Sequence, residues 1–329
     1  MDSRHLVDPE LIDALDASPD DELTLARLPE IRAQRAAEFA RLQPTLPAFP
    51  EIEVREESVP GPPGAPDVRV LVYAPTQQPR PRGALVWIHG GGYVLGTPDA
   101  DELQQKTIVS NVGCALVSVD YRLAPEAPFP ASVEDCYAAL AWVHRHAGEL
   151  GIDAGRIGIG GASAGGGLAA ALALLARDRA EFPVVFQLLL VPMLDDRTVT
   201  TSDPHPYTGE FTWTRDKNLF GWSSLLGRAP GGADVSPYAA PARAASLERL
   251  PAAYIATGAL DLFLEEDVEY ARRLTRAGVP TELHVYPGAF HGFGRAAEAR
   301  VTHAYQRDYL EALGRALELA PARVPAGAV

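Results

Sequence analysis

From Ala84 onward, short apolar runs alternate with stretches in which apolar residues recur every three or four positions. No other property of this chain narrows its fold as far. Ala84–Ile88, Ala115–Val119, Arg156–Gly160, Val184–Val191, Ala252–Thr257 and Thr281–Tyr286 have the length of strands. Ser132–Ala147, Ala164–Arg177, Glu266–Ala277 and Ala297–Leu317 have the period and length of helices. An uninterrupted run such as Ala84-Leu85-Val86-Trp87-Ile88 suits a strand buried on both faces. Ile52–Val59 and Val68–Tyr73 precede this region as two more strands, separated by the turn cluster Pro60-Gly61-Pro62-Pro63-Gly64. Strands paired locally and then alternating with helices predict an α/β architecture, with eight strands in a mostly parallel sheet covered on both faces.

Two segments break the rhythm. In residues 1–45, Leu23, Leu25, Leu28, Ile31, Ala36, Phe39 and Leu42 follow helical spacing, with Asp20 and Asp21 as N-cap candidates and Pro44, Pro47 and Pro50 ending the segment. Residues 195–245 are rich in Pro, Gly, Thr and aromatics and are too long for a plain connection, which points to a lid over a pocket. Tyr93, Tyr207, Phe211, Trp213, Trp222 and Phe290 are the candidate pocket walls.

Composition excludes several classes. Forty-three acidic against 29 basic residues give a net charge of −14, which disfavours nucleic acid and anionic membrane surfaces as partners. Cys114 and Cys136 sit in apolar or helical surroundings and read as buried small hydrophobes, not as a disulfide framework or metal cluster. The first residues carry no apolar core, and the longest apolar stretch, Leu168–Ala176, is about half a membrane span, so the expectation is a cytoplasmic chain.

The chemistry-bearing signal is Gly161-Ala162-Ser163-Ala164-Gly165, a G-x-S-x-G placed between a strand and a helix. A serine hydroxyl is a poor nucleophile unless it is exposed beside a base. A tight strand-to-helix turn exposes it and demands small neighbours. The spacing lacks the third glycine of a dinucleotide loop and the Gly-Lys of a phosphate loop. His89-Gly90-Gly91-Gly92-Tyr93 follows the buried run Ala84–Ile88 directly. Consecutive glycines let N–H groups approach a substrate oxygen, and each donor placed for a developing oxyanion lowers a barrier by roughly 3–4 kcal/mol. Gly91 and Gly92, with Ala164 from the elbow, are the candidate donors. His89 has no second ligand nearby and suits a loop-bracing hydrogen bond better than a metal.

The base is expected after the last strand, in Pro287-Gly288-Ala289-Phe290-His291-Gly292, and the acid after the strand before it, in Gly258-Ala259-Leu260-Asp261. The order Ser163…Asp261…His291 then places a proton acceptor and its orienting carboxylate on successive loops. His144, His146 and His303 lie in helical patterns, His284 inside a strand, His5 in the tail and His205 in the insertion. Asp195 and Asp196 are alternative acids, whereas Glu265, Glu266 and Asp267 read as charges at a helix N-terminus.

These residues, together with Asp120-Tyr121-Arg122-Leu123-Ala124-Pro125-Glu126, resemble the motifs of the hormone-sensitive lipase-like esterases of the α/β-hydrolase fold, over about residues 50 to 317. The resemblance implies hydrolysis of short- to medium-chain carboxylic esters through an acyl-enzyme, with no cofactor and no metal. It implies a cap made of residues 1–45 and 195–245 on a core of residues 46–194 and 246–329, and a homodimer formed through the last strand and helix. The 120–126 motif would brace the sheet end and the oxyanion loop. Ala162, where the family often has an acid or threonine, and Leu262, where a proline often follows the acid, depart from its pattern. An amidase or peptidase using the same three residues, a lyase, and a non-catalytic small-molecule receptor are the alternatives on this fold. An intact Ser163, Asp261 and His291 weigh against the last two.

Overall fold

A computed structural model describes residues 2–18, 21–77 and 81–318. Its centre is an eight-stranded sheet: β1 Ile52–Val59, β2 Val68–Pro75, β3 Arg82–Ile88, β4 Ala115–Asp120, β5 Ile152–Ala162, β6 Phe186–Leu190, β7 Ala252–Gly258 and β8 Thr281–Tyr286. The strand order is β1-β2-β4-β3-β5-β6-β7-β8. β1 with β2 and β2 with β4 pair antiparallel, and every other neighbouring pair is parallel. Parallel strands need helical crossovers, which cover both faces and explain why Ala84–Ile88 is apolar throughout and fully buried.

The helices are α1 Ile12–Asp16, α2 Leu28–Leu42, α3 Glu102–Val112, α4 Ala131–Arg145, α5 Ala147–Leu150, α6 Ala164–Arg179, α7 Arg215–Leu226, α8 Leu264–Arg276 and α9 Arg300–Glu318. Residues of α4, α6 and α8 pack into the core on one face of the sheet. Residues of α3 and α9 pack into the core on the other. No helix among the described residues is long and apolar enough to cross a membrane.

Two differences from the sequence reading stand out. The N-terminal helix starts at Leu28, not after Asp20 and Asp21. Pro29 in its first turn lacks an N–H and fits where the helix leaves that donor unused anyway. Asp20 lies outside the described residues, and Asp21 instead pairs with Arg35 at 2.7 Å. Helix α3 has no counterpart among the expected elements. It buries only Gln105, Ile108 and Val109, too sparse an apolar stripe to stand out, and Gln105 Nε2 donates to Ser118 Oγ at 2.8 Å.

The 195–245 segment is pinned at its base. Asp196, fully buried, accepts from the Arg243 guanidinium and from Gly231 N–H at 2.6 Å. Glu266, at the start of α8, accepts from Leu194 N–H at 2.6 Å, from Asp195 N–H and from the Thr198 hydroxyl. The two ends of the segment are therefore tied to each other by an ion pair, and its first residues are tied to α8 through Glu266.

Candidate active site

Ser163 stands at the junction of β5 and α6 with φ +57° and ψ −121°, a strained backbone for a residue with a Cβ. Close approach of chain segments enforces the turn. A Cβ on Gly165 would lie 2.0 Å from the Ile88 carbonyl oxygen and 2.5 Å from that of His89. Ser163 N–H donates to Leu190 O at 2.8 Å, which locks the elbow to the end of β6.

The three side chains expected to converge do so. Ser163 Oγ lies 3.0 Å from His291 Nε2, and His291 Nδ1 lies 2.8 Å from Asp261 Oδ2. A carboxylate only accepts, so Nδ1–H donates to Asp261 and Nε2 is left to accept from the Ser163 hydroxyl. Asp261 Oδ1 accepts from Phe263 N–H at 3.0 Å. Asp261 is fully buried, while Ser163 and His291 are each 8% exposed. The loops carrying acid and base are themselves hydrogen-bonded: Ala259 N–H donates to Tyr286 O and Leu260 N–H to Ala289 O, each at 2.9 Å. Phe263 meets the His291 ring edge-on at 5.1 Å. Asp195, held by Arg197, and Asp196, held by Arg243, are engaged elsewhere.

The glycine loop lies beside this chain of bonds. Gly91 and Gly92 adopt φ +122° and +61°, conformations that favour glycine. Their N–H groups meet no acceptor among the described residues. Ala164 is the first residue of α6, where a helix leaves N–H groups open. His89 is buried, and burial holds its imidazole below the usual range, so it is neutral. Its Nδ1–H donates to Gly90 O at 2.8 Å and its ring stacks on Tyr121 at 4.3 Å. Tyr121 donates to His89 O at 3.0 Å. The 120–126 motif therefore braces the glycine loop through Tyr121. Arg122 holds the fully buried Asp135 with both ends of its guanidinium. Arg32 of α2, which sequence reasoning passed over, donates to Val94 O and Ala124 O and pairs with Glu126.

The six candidate pocket aromatics divide. The Trp213 indole lies against Gly92, where a Cβ would come within 2.0 Å of Cη2, and its ring is 6.3 Å from that of His291. Phe211 meets Phe290 edge-on at 6.2 Å, directly beside His291 in the chain. Tyr93 and Trp222 are fully packed against each other, and Tyr93 donates to Met193 O at 3.0 Å, so they support the glycine loop from inside the core. Tyr207 is 47% exposed, with His205 as its ring neighbour.

The three acids at the start of α8 differ sharply. Glu265 is exposed, but Glu266 and Asp267 are buried, which corrects the reading of all three as charges at a helix N-terminus. Burial pushes both carboxyls well above their usual range, and for Asp267 the neighbouring Glu266 and Asp261 push the same way. Neither Asp267 oxygen has a hydrogen-bond partner among the described residues, and Thr257 Oγ1 falls short of bonding geometry and opposes the shift only weakly. The folded chain thus keeps a proton that an unfolded aspartate loses near pH 3.9, so stability falls as pH rises above about 4 until Asp267 ionises in the fold. Asp267→Asn removes that slope. Urea midpoints are expected to shift in favour of the variant from about pH 5 to about pH 8, and a difference that stays flat would contradict the neutral carboxyl.

Comparison with known proteins agrees with this architecture. A family model described as alpha/beta hydrolase fold matches residues 85–295. Esterase LipI of Mycobacterium tuberculosis (strain ATCC 25618 / H37Rv) is 35% identical over 302 residues, covering 89% of each chain. Carboxylesterase NlhH of the same strain is 35% identical over 296 residues, covering 87% of this chain and 88% of its own. Among solved structures, a bacterial heroin esterase superposes with a TM-score of 0.90 at 42% identity, covering 95% of this chain and 98% of that one. The chain belongs to the α/β-hydrolase fold family, in its hormone-sensitive lipase-like, HGGG-motif branch of esterases.

Proposed function

We propose that this esterase is a serine carboxylesterase acting on short- to medium-chain carboxylic esters through an acyl-enzyme. The observation that carries the reading is the unbroken hydrogen-bond chain from Ser163 through His291 to Asp261, beside the open N–H groups of Gly91 and Gly92. Ser163 Oγ attacks the ester carbonyl carbon while His291 Nε2 takes the hydroxyl proton. Asp261 stabilises the imidazolium. The carbonyl oxygen, now negative, is received by the N–H groups of Gly91, Gly92 and Ala164. Collapse breaks the acyl–oxygen bond, and His291 returns the proton to the departing alcohol. Water then attacks the acyl-enzyme with His291 again as base, which frees the carboxylic acid and restores Ser163. We read residues 1–45 and 195–245 as the cap over this site. Ser3 donates to Glu210 within the 195–245 segment, and Asp8 N–H donates to Gly288 O in the base loop, which supports that placement. Trp213, whose ring lies 6.3 Å from that of His291, and Phe211, which meets the neighbouring Phe290, form the proposed substrate wall. A homodimer through the edge formed by β8 and α9 belongs to the same reading, and Leu283 and Val285 on β8 are 37% and 42% exposed.

The test is pre-steady-state hydrolysis of p-nitrophenyl esters from acetate to palmitate, with matched anilides. A burst of one p-nitrophenol per chain, best turnover on short and medium acyl groups and much slower anilide cleavage are expected. Anilides turned over as fast as esters would favour the amidase alternative. Absence of a covalent acyl-enzyme under conditions of slow deacylation would remove the serine mechanism.

A further inference from the structure

We infer that a cavity between the base of the 195–245 segment and helix α8 is a second ligand site, fitted to a small monocarboxylate with a short apolar tail. The cavity measures about 460 Å³, within the range of small-molecule sites, and includes none of the Ser163, His291, Asp261 or glycine-loop residues. The inference does not rest on the serine mechanism.

The charges around the cavity leave a single positive excess. Asp195 is matched by Arg197, Glu269 by Arg272, and Arg243 by Asp196. Glu266 spends its oxygens on the Leu194 and Asp195 N–H groups and the Thr198 hydroxyl, and burial holds it toward the neutral form. Arg273 has no carboxylate within ion-pair distance among the described residues. Its two terminal nitrogens donate to the carbonyls of Ala242 and Ala244, which contribute no formal charge. A guanidinium spent on neutral carbonyls is a poor match for its charge, and a carboxylate at its free edge completes the pair.

A second, independent feature points the same way. Tyr270, one turn before Arg273, lines the cavity, is 1% exposed and leaves its hydroxyl without a hydrogen-bond partner among the described residues. A buried hydroxyl is seldom left unmet, because an unmade hydrogen bond costs about 1–3 kcal/mol. Tyr270 and the unmatched guanidinium stand on the same wall of the cavity. The rest of the wall is Val235 with Ala233, Ala242, Ala244 and Ala245, which suits a short hydrocarbon and leaves no second cationic centre free for a polyanion. Occupation would tie the two ends of the 195–245 segment, at Arg197 and Arg243, to α8, the helix that follows Asp261.

The test is calorimetric titration of the full chain with sodium butyrate, with butanamide as the neutral isostere and sodium chloride as the bare anion. Saturable one-to-one butyrate binding is expected, with butanamide and chloride failing to compete. Tyr270→Phe, which removes a hydroxyl with no structural partner, is expected to keep the fold and weaken butyrate about fivefold or more. Arg273→Gln is expected to weaken it at least about tenfold. Inhibition of p-nitrophenyl acetate hydrolysis is measured in parallel. No saturable binding, equal binding of butanamide, or butyrate binding that competes with substrate and ignores both substitutions each overturns the second site. All three of those outcomes leave the esterase reading intact, so the two fail separately.

Discussion

Ser163→Ala is expected to lower kcat/KM for p-nitrophenyl acetate by at least about 10⁴-fold, with the circular dichroism spectrum and thermal midpoint little changed. The size follows from what is lost and what remains. The substitution deletes the atom placed both 3.0 Å from His291 Nε2 and beside the glycine loop. His291, Asp261 and the open N–H groups survive, so the residual rate reflects oxyanion stabilisation and substrate positioning alone. KM is expected to move little, because the hydroxyl contributes to the transition state more than to ground-state binding. Alanine retains a Cβ, so the positive φ of the elbow remains strained and the fold gains nothing from the change. Retention of a tenth or more of the turnover would sink the nucleophile assignment.

Gly165→Ala is expected to destabilise the protein by at least about 3 kcal/mol and to abolish most activity in whatever folds. The new methyl would sit 2.0 Å from the Ile88 oxygen and 2.5 Å from that of His89, and both obstacles are backbone at the end of β3. Neither yields by a rotamer change. The first turn of α6 must instead move away from β3, and Ser163 and Ala164 move with it while Gly91 and Gly92 stay on β3's side. Packed interiors absorb such displacement poorly. Urea unfolding and kcat/KM measured together check this: wild-type stability with wild-type turnover would show that the crowding relaxes freely. Gly148→Ala is the control, since a Cβ there meets nothing within 4 Å.

Much of this architecture was legible in the chain because it follows from local chemistry. Ala84–Ile88 is unbroken apolar because β3 is covered on both faces, and the small residues around Ser163 reflect backbone crowding that any side chain would violate. The positions of Asp261 and His291 followed from the rule that loops at the same end of successive parallel strands face one another. What escaped was set by tertiary contact. Glu265, Glu266 and Asp267 are indistinguishable acids in sequence, yet helix rotation points the first to solvent and the next two inward. Arg32 looks like one more surface cation on an exposed helix, and only docking reveals that it holds Val94 and Ala124. Helix α3 was missed because its buried face includes Gln105, whose amide nitrogen donates to Ser118 from a strand thirteen residues away. The aromatic roles were beyond reach for the same reason. Nothing local distinguishes Trp213, laid on the glycine loop, from Trp222, sealed behind it.

The arrangement of strands has a consequence for how such a protein changes over time. Ser163 follows β5, Asp261 follows β7 and His291 follows β8, while the long excursion of residues 195–245 leaves the sheet after β6, between the first two. Its ends are fastened by their own anchors, Asp196 to Arg243 and Glu266 to Leu194, outside the serine–imidazole–carboxylate relay. If, as proposed, that excursion forms part of the cap, its exchange between relatives, cut at its anchors, is expected to transplant preference for one ester over another while Ser163, His291 and Asp261 keep their alignment. On that proposal heritable novelty would have a module of its own, and the chemistry beneath it would be free to stay still.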